Sequence, residues 1–248
     1  ATNVITPQVA VITSLSYDHT YLLGDTLGEI AYEKAGIIKP GIPTVCEPQA
    51  DEALTVIERV CAERGSPLTV VGREWVWERV NFSLEGQTFE LRHVPDPSPL
   101  DGEYTIPLLG SHQLNNAVAA IAALDVLPLR PDQIRQGLSR VSWPGRLEVL
   151  RADPPLIVDC AHNGDSAAKL SAALEEWFPY QRWTFIVGVS NDKDVAGILQ
   201  ALAPRMRRLL VTQSRHSRAM PPEELAELAT QILPDAHVEA ANDVPAAM

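Results

Sequence analysis

Cysteine, positive charge and long apolar runs are all scarce in this chain, and each scarcity removes a class of protein. Its 248 residues include three cysteines. Cys46, Cys61 and Cys160 show no paired spacing, which argues against a disulfide framework or a zinc site and fits reduced thiols in a cytoplasmic protein. Lys and Arg number 20 against 32 Asp and Glu, a net charge of −12, so neither a nucleic-acid backbone nor an anionic membrane is expected as partner. Basic clusters are short, as in Arg205-Met206-Arg207-Arg208. No run of about 18 apolar residues and no charged-then-apolar leader occurs, so no membrane span or signal peptide is read. Two phosphate motifs are missing as well. The chain contains neither G-x-x-x-x-G-K-[ST] nor the G-x-G-x-x-G of dinucleotide sites.

Hydrophobic residues make up 46% of the chain, enough for real cores, and the length allows one large or two ordinary domains. The most informative stretch is VAVITSLSYDHTYLLGDTLGEIAYEKAGIIKPG, from Val9 to Gly41. Val9 to Leu15 reads as a buried parallel strand that ends just before Asp18-His19. Thr26 and Glu29 stand at capping-box spacing at the head of a helix with Leu27, Ile30 and Ala31 as its apolar stripe. Lys34 falls on the same stripe, so its amine is expected to be partly desolvated and neutral. A neutral amine can form a Schiff base, act as a base, or take up carbon dioxide to become a carbamate, an oxygen ligand suited to Mg2+. Ligands collect at the carboxyl ends of strands in open α/β sheets, which places His19 and Lys34 at one rim. The alternatives are a loop histidine without a role and a lysine snorkelling off a short helix.

Further along, Ile42 to Cys46 is the next strand, and a helix from Ala50 to Arg64 is closed by Gly65. From Leu68 to Ile106 the period alternates, giving short antiparallel strands around Trp75, Trp77, Phe82 and Phe89 with a hairpin at Glu85-Gly86-Gln87. His93 is expected at the surface. Gly110-Ser111 opens a helix with Leu114, Ala117, Val118, Ile121 and Leu124 on its apolar face, and His112 and Asn116 project from the opposite side. An asparagine amide offers the donor and acceptors that an adenine edge needs, and a helix N-terminus suits a nucleotide; a solvated polar face is the alternative.

Pro131 to Leu138 is a short helix, and Ser142-Trp143-Pro144-Gly145-Arg146 punctuates the chain. The expected division is therefore a domain over 1–143, a hinge over 144–148 and a second domain over 149–248. An arginine at a hinge can grip a phosphate with two prongs, or pair with Glu148. Strands at Leu156 to Cys160, Trp183 to Val189, Leu209 to Thr212 and Ala236 to Glu239, with helices from Asp165, Asp194 and Pro221-Pro222, imply a parallel, Rossmann-like sheet. Cys160 is expected to pack. At the strand ends stand Asp159 with His162-Asn163, then Lys193 beside the N-cap residue Asp194, then Arg215 and Arg218. Asp159 either accepts from ribose hydroxyls or caps its own turn. Lys193 is a candidate phosphate or carboxylate contact, and the two arginines suit an anionic amino acid unless they form a basic surface loop.

The words ITSLSYDHTYLLGDTLGEIAYEKAGIIKPG, LLGSHQLNNAVAAIAAL, WPGRLEVL, VDCAHNGDSA and GVSNDKDV follow one another in the order in which they stand in the folylpolyglutamate synthase/dihydrofolate synthase family, relatives of the Mur ligases. The chain resembles that family over about residues 1–220. The resemblance implies an α/β fold: the remainder of a P-loop-type central ATPase domain with an antiparallel strand subregion, followed by a Rossmann-like C-terminal domain. It implies an ATP-dependent ligase that joins L-glutamate to tetrahydrofolate or dihydropteroate through an acyl phosphate, with ATP and Mg2+. Carbamylated Lys34 and His19 would then help to place Mg2+ and substrate. Asn116 would meet adenine with Gln113 and His162 also at ATP, Arg146 phosphate, and Asp159 ribose. Ala1, Thr2 and Asn3 would line the pterin pocket, and Lys193, Arg215 and Arg218 are candidates for glutamate or phosphate. Gly164 stands where the family usually has proline. The missing phosphate loop marks the chain as an expected fragment, without the family's N-terminal P-loop segment and extreme C-terminus. A monomer acting on small molecules is expected. The alternatives are another Mur-type amide ligase and a truncated, non-catalytic nucleotide-binding chain.

Overall fold

The computed structural model describes residues 2–17, 23–179 and 181–248, so His19 and Ala1 lie outside the described residues. The chain divides into two compact units, Ala1–Leu156 and Ile157–Met248.

In the first unit, β1 (Ala10–Ile12), β2 (Thr44–Cys46) and β3 (Leu68–Val70) form a parallel sheet in that order, with Ala10 beside Thr44 and Thr44 beside Leu68. Every residue of β2 is buried, as a central parallel strand covered on both faces must be. The strand expected over Val9 to Leu15 is shorter than that because side chains take over the next backbone groups. Glu47 Oε2 accepts from the Ser14 N–H at 2.9 Å, and Gln49 accepts from the Leu15 N–H and donates to the Thr13 carbonyl, each at 2.9 Å.

Helix α1 (Leu27–Lys34) opens with the expected capping box between Thr26 and Glu29, which satisfies two orphan donors of the first turn. Helix α2 (Asp51–Arg64) has Asp51 and Glu52 in its first turn, complementing the helix dipole. It ends at Gly65, φ +57°, where the Gly65 N–H reaches the Ala62 carbonyl and the Ser66 N–H that of Cys61. That paired closure requires a left-handed residue, which glycine adopts without strain. The two helices bury Ala31, Ile57 and Cys61, and the turn that follows α1 buries Ala35 and Ile38, against Ile12 and Cys46 of the sheet. Each fully buried large aliphatic side chain contributes about 1.5–3 kcal/mol.

Strands β4 (Trp75–Ser83), β5 (Gly86–His93) and β6 (Gly102–Ile106) form an antiparallel sheet in chain order. The alternating region thus starts at Trp75, since Leu68–Val70 belongs to the parallel sheet. His93 is half-buried, not at the surface. Register sets it opposite Trp75, and the two rings meet edge-on at 4.7 Å. Helix α3 (His112–Asp125) packs on β1, β2 and β4, so one core joins Val45 to Trp75, Phe89, Leu91 and Ile106 through Leu114, Val118 and Ile121. Helix α4 (Pro131–Leu138) has the bounds expected from the sequence.

Strand β7 (Glu148–Ala152) pairs with β8 (Pro155–Val158) in a two-stranded sheet. This differs from the first Rossmann strand expected over Leu156 to Cys160. Pairing with β7 wins because only Asp153 and Pro154 separate the two strands, and so short a loop closes at little entropic cost. Cys160, beyond the end of β8, is exposed and does not pack.

In the second unit, β9 (Trp183–Val187), β10 (Met206–Val211) and β11 (Val238–Ala240) form a parallel sheet in the order β11-β10-β9. Helices α5 (Gly164–Trp177), α6 (Val195–Leu202) and α7 (Pro222–Ile232) supply Ala167, Ile198, Leu199, Leu202, Leu225 and Ala229 to a core with Leu209 and Val211. Asp194 caps α6, accepting from the Gly197 N–H. A last turn, α8 (Val244–Ala247), is capped by Asp243. Among the described residues no helix is long and apolar enough to cross a membrane.

Candidate functional site

A cavity of about 540 Å3 opens in the first unit between α3, the end of β6 and the chain that follows α4. Its size is that of an ordinary small-molecule pocket. Ile106, Leu108 and Ala120 give it apolar walls, while Gln113, Asn116 and Arg146 bring the polar groups. These are three of the residues expected at ATP.

The first turn of α3 is wired internally. Asn116 Nδ2 donates to Gln113 Oε1 at 2.9 Å, and Gln113 Nε2 lies 3.2 Å from His112 Nε2. The amide nitrogen can only donate, so the ring nitrogen accepts. Gln113 is 6% exposed, a buried amide whose bonds are all the more valuable for being dry. Asn116 is exposed and keeps its carbonyl and one N–H for the cavity. Gly110, φ +96°, turns the chain into the helix; a Cβ there would lie 2.5 Å from the His112 ring, so a larger residue would be strained and would push that ring aside. Arg146 is exposed at the cavity wall, and Glu148 accepts from the Gly145 N–H at 2.8 Å. Trp143, 61% exposed, also lines the cavity. It is not among the residues expected at the site, although its place beside Pro144-Gly145-Arg146 in the chain is a usable signal.

The end of α1 differs from expectation. Lys34 is exposed, so the expected desolvation of its amine is absent. It is the last residue of α1, and the chain continues as a 3-10 turn over Ala35–Ile37 that sends Ala35 and Ile38, not Lys34, into the core. Thr2–Val4 forms another 3-10 turn. Asn3 Nδ2 donates to the Glu33 carbonyl at 3.3 Å, and Lys39 Nζ donates to the Asn3 carbonyl at 2.5 Å. Asn3 is thereby tied to the last turn of α1, beside Lys34 in the chain, and Thr2 is exposed. Glu47, 2% exposed at the end of β2, is a buried carboxylate absent from the expected set; a Glu straight after an apolar strand is the signal that could have found it. Among the described residues no three His, Cys, Asp or Glu side chains gather as a metal set, so these residues alone do not build the oxygen cage that Mg2+ prefers.

In the second unit the candidates fall on three loops. Asp159 Oδ1 accepts from the Ala161 N–H at 2.7 Å, capping its turn, and His162 Nδ1 bonds the Cys160 carbonyl at 3.0 Å with its ring exposed. Both follow β8, outside the three-stranded sheet. The loops after β9 and β10 run together: the Asn191 N–H donates to the Arg218 carbonyl and the Met220 N–H to that of Val189, each at 2.9 Å. Arg218 also faces Asp192 at 3.6 Å. Half-buried Lys193 lies in the first loop, and exposed Arg215 in the second.

Known proteins align with this architecture along nearly its whole length. The chain is 36% identical to the folylpolyglutamate synthase of Lacticaseibacillus casei over 256 residues, covering 99% of this chain and 59% of that one. It is 36% identical to the dihydrofolate synthase/folylpolyglutamate synthase of Mycobacterium tuberculosis, covering 91% of this chain and 48% of that one. It thus spans about half to three-fifths of the length of these curated relatives. The solved structure of Mycobacterium tuberculosis folylpolyglutamate synthase complexed with ADP superposes with a TM-score of 0.89 at 33% identity, over 99% of this chain and 56% of that one. A structure described as an FPGS-AMPPCP-folate complex gives 0.77 at 32% identity, over 99% and 60%. The Mur ligase middle domain matches residues 1–124 and the Mur ligase glutamate ligase domain residues 145–248, and with both domains in the order of that family, the chain belongs to the Mur ligases.

Proposed function

We propose that this chain supplies the adenine-binding and glutamate-binding parts of an ATP-dependent ligase that joins L-glutamate to tetrahydrofolate or dihydropteroate. The observation that carries the reading is the cavity where Gln113, Asn116 and Arg146 meet. The Asn116 amide presents a donor and an acceptor to an adenine edge, and Arg146 offers two prongs to a phosphate. His162 belongs to the same nucleotide set. Asp159 is assigned to the ribose hydroxyls by sharing the carboxylate oxygen that now caps its turn. Relatives of the same domain order are named folylpolyglutamate and dihydrofolate synthases.

In the proposed reaction a carboxylate oxygen of the acyl donor attacks the γ-phosphorus of ATP and ADP leaves. The glutamate amine then attacks the acyl carbon, and inorganic phosphate leaves with the former carboxylate oxygen. Lys193, Arg215 and Arg218 are positioned by chemistry to hold the glutamate carboxylates or a phosphate. Ala1, Thr2 and Asn3 are assigned to the pterin. Mg2+, when bound with ATP, would neutralise phosphate charge. Its proposed ligands are His19 and the carbamate of Lys34, whose exposed amine carbon dioxide can reach. Residues 144–148 are proposed as the hinge between the domains. The enzyme is proposed to be cytoplasmic and monomeric, with neither nucleic acid nor membrane as partner, in keeping with its net charge of −12.

The test is calorimetric titration of the chain with ADP, followed by an assay of labelled glutamate incorporation with MgATP and each acyl donor. ADP binding that weakens in Asn116→Ala, together with incorporation, supports the reading; absence of ADP binding overturns it. A second reading, a nucleotide-binding chain that does not ligate, is favoured by the missing G-x-x-x-x-G-K-[ST] motif. Binding without incorporation would select it.

A further inference from the structure

Gln87 is a buried amide on β5, the central strand of the antiparallel sheet. It is 1% exposed at the start of β5, and such a group is retained at a cost unless all its bonds are made. Its Nε2 donates twice, to the Leu108 carbonyl at 2.7 Å and to the Gly110 carbonyl at 2.9 Å. Its Oε1 accepts from Arg79 Nη1 at 3.3 Å, and the Arg79 guanidinium lies 4.3 Å over the Phe82 ring. The arginine thus sets which end of the amide faces the two carbonyls.

Both carbonyls belong to the segment that builds the cavity. Leu108 is a wall residue. The Gly110 carbonyl also accepts the Gln113 N–H at 3.0 Å, so one oxygen joins the clamp to the first turn of α3. From there the chain of bonds continues through Gln113 Oε1 to Asn116 Nδ2. Backbone pairing adds to this, since Gln87 lies opposite Ile106, another wall residue.

We propose that Gln87 is a positioning residue for nucleotide-base recognition: by holding the Leu108 and Gly110 carbonyls it sets the place of Gln113 and Asn116, and with it the preference for adenine over guanine. This rests on the reading of the cavity as a nucleotide site. Gln87 itself does not line the cavity. Loss of its two donated bonds leaves the loop free to shift by the fraction of an ångström that misaligns a bidentate amide.

The experiment compares the whole chain with Gln87→Met, which keeps length and apolar bulk but donates nothing, and with Phe89→Leu, a buried neighbour on the same strand that leaves the clamp alone. ADP and GDP affinities are measured by calorimetry, and backbone amide exchange is followed over residues 110–116. Gln87→Met is expected to lose about tenfold in ADP affinity, the worth of one to two net hydrogen bonds, with the ADP-to-GDP ratio falling towards one and amides of the first turn of α3 exchanging faster. Phe89→Leu is expected to melt lower and keep the ratio. An unchanged ratio in Gln87→Met, with the wild type still discriminating, overturns the positioning role alone. Equal affinity of the wild type for ADP and GDP overturns the base-recognition proposal, and no binding of ADP by the wild type overturns the nucleotide reading and the proposal with it.

Discussion

Asn116 donates to Gln113 across one turn of α3, at 2.9 Å, and the two amides differ in exposure: Gln113 is buried and Asn116 is not. The buried partner fixes the rotamer of the exposed one, which then needs little ordering when a base arrives. Asn116→Ala should therefore weaken ADP about tenfold, the scale of a net hydrogen bond or two, and also lower the melting temperature, because the buried Gln113 Oε1 loses its donor. Gln113→Ala should weaken ADP as well and cost about 1–3 kcal/mol of stability, because His112 and Asn116 lose a buried partner. Titration and thermal melts of the two variants read this directly. An Asn116→Ala protein with full ADP affinity would remove the residue from the site.

The contrast between a cap and a core tests how α2 is held. Gly65 closes the helix at φ +57° with open space around its missing Cβ, so Gly65→Ala should cost about 1–2 kcal/mol from backbone strain alone. Ile57, 0% exposed in the same helix, should cost about 2–5 kcal/mol when cut to alanine, since a cavity remains. Denaturant midpoints with unchanged slopes are the measurement. Equal losses at the two positions would mean that the methyl added by Gly65→Ala meets a clash the structure does not contain.

Lys34 is exposed at the end of α1, so Lys34→Ala should shift stability by less than about 0.5 kcal/mol. The proposed carbamate gives it a separate signature. The chain in 13C-bicarbonate should show a carbamate resonance that Lys34→Ala lacks. The same resonance in both proteins would assign it to another amine and withdraw Lys34 from the metal site.

Features set by near neighbours in the chain were legible in the sequence. The Thr26–Glu29 capping box, the Gly65 stop, the helix Pro131–Leu138 and the Asp194 cap each depend on residues a few positions apart. What depends on partners distant in the chain was not. Lys34 shares a helical face with Ala31, yet burial there is decided by where the following turn puts Ala35 and Ile38. His93 is half-buried because strand register brings Trp75 against it. Gln87 looks like a hairpin polar residue until the Leu108 and Gly110 carbonyls are seen to converge on its amide. Of the nucleotide candidates, Gln113, Asn116 and Arg146 share one cavity because α3 and the stretch from Trp143 to Arg146 meet there, which no spacing between them announces.

Cys46 gives the pH dependence its clearest handle. Its thiol is fully buried and donates to the Glu47 carbonyl at 3.2 Å; burial, the largest influence, pushes it up from 9.0 to about 11. Burial raises the Cys61 thiol too. The unfolded chain releases the Cys46 proton near pH 9 while the folded chain holds it to about 11. The associated stability is therefore intact below pH 9 and is lost as pH climbs through that window, by about 2–3 kcal/mol for a shift of this size. Urea midpoints at about pH 8 and about pH 11, either side of that window, should fall further apart in the wild type than in Cys46→Ala, although the variant starts lower because it leaves a cavity. Tyr104, raised by burial as well, contributes equally to both proteins and cancels. Parallel declines in the two proteins would mean that Cys46 keeps its proton no more firmly in the fold than out of it.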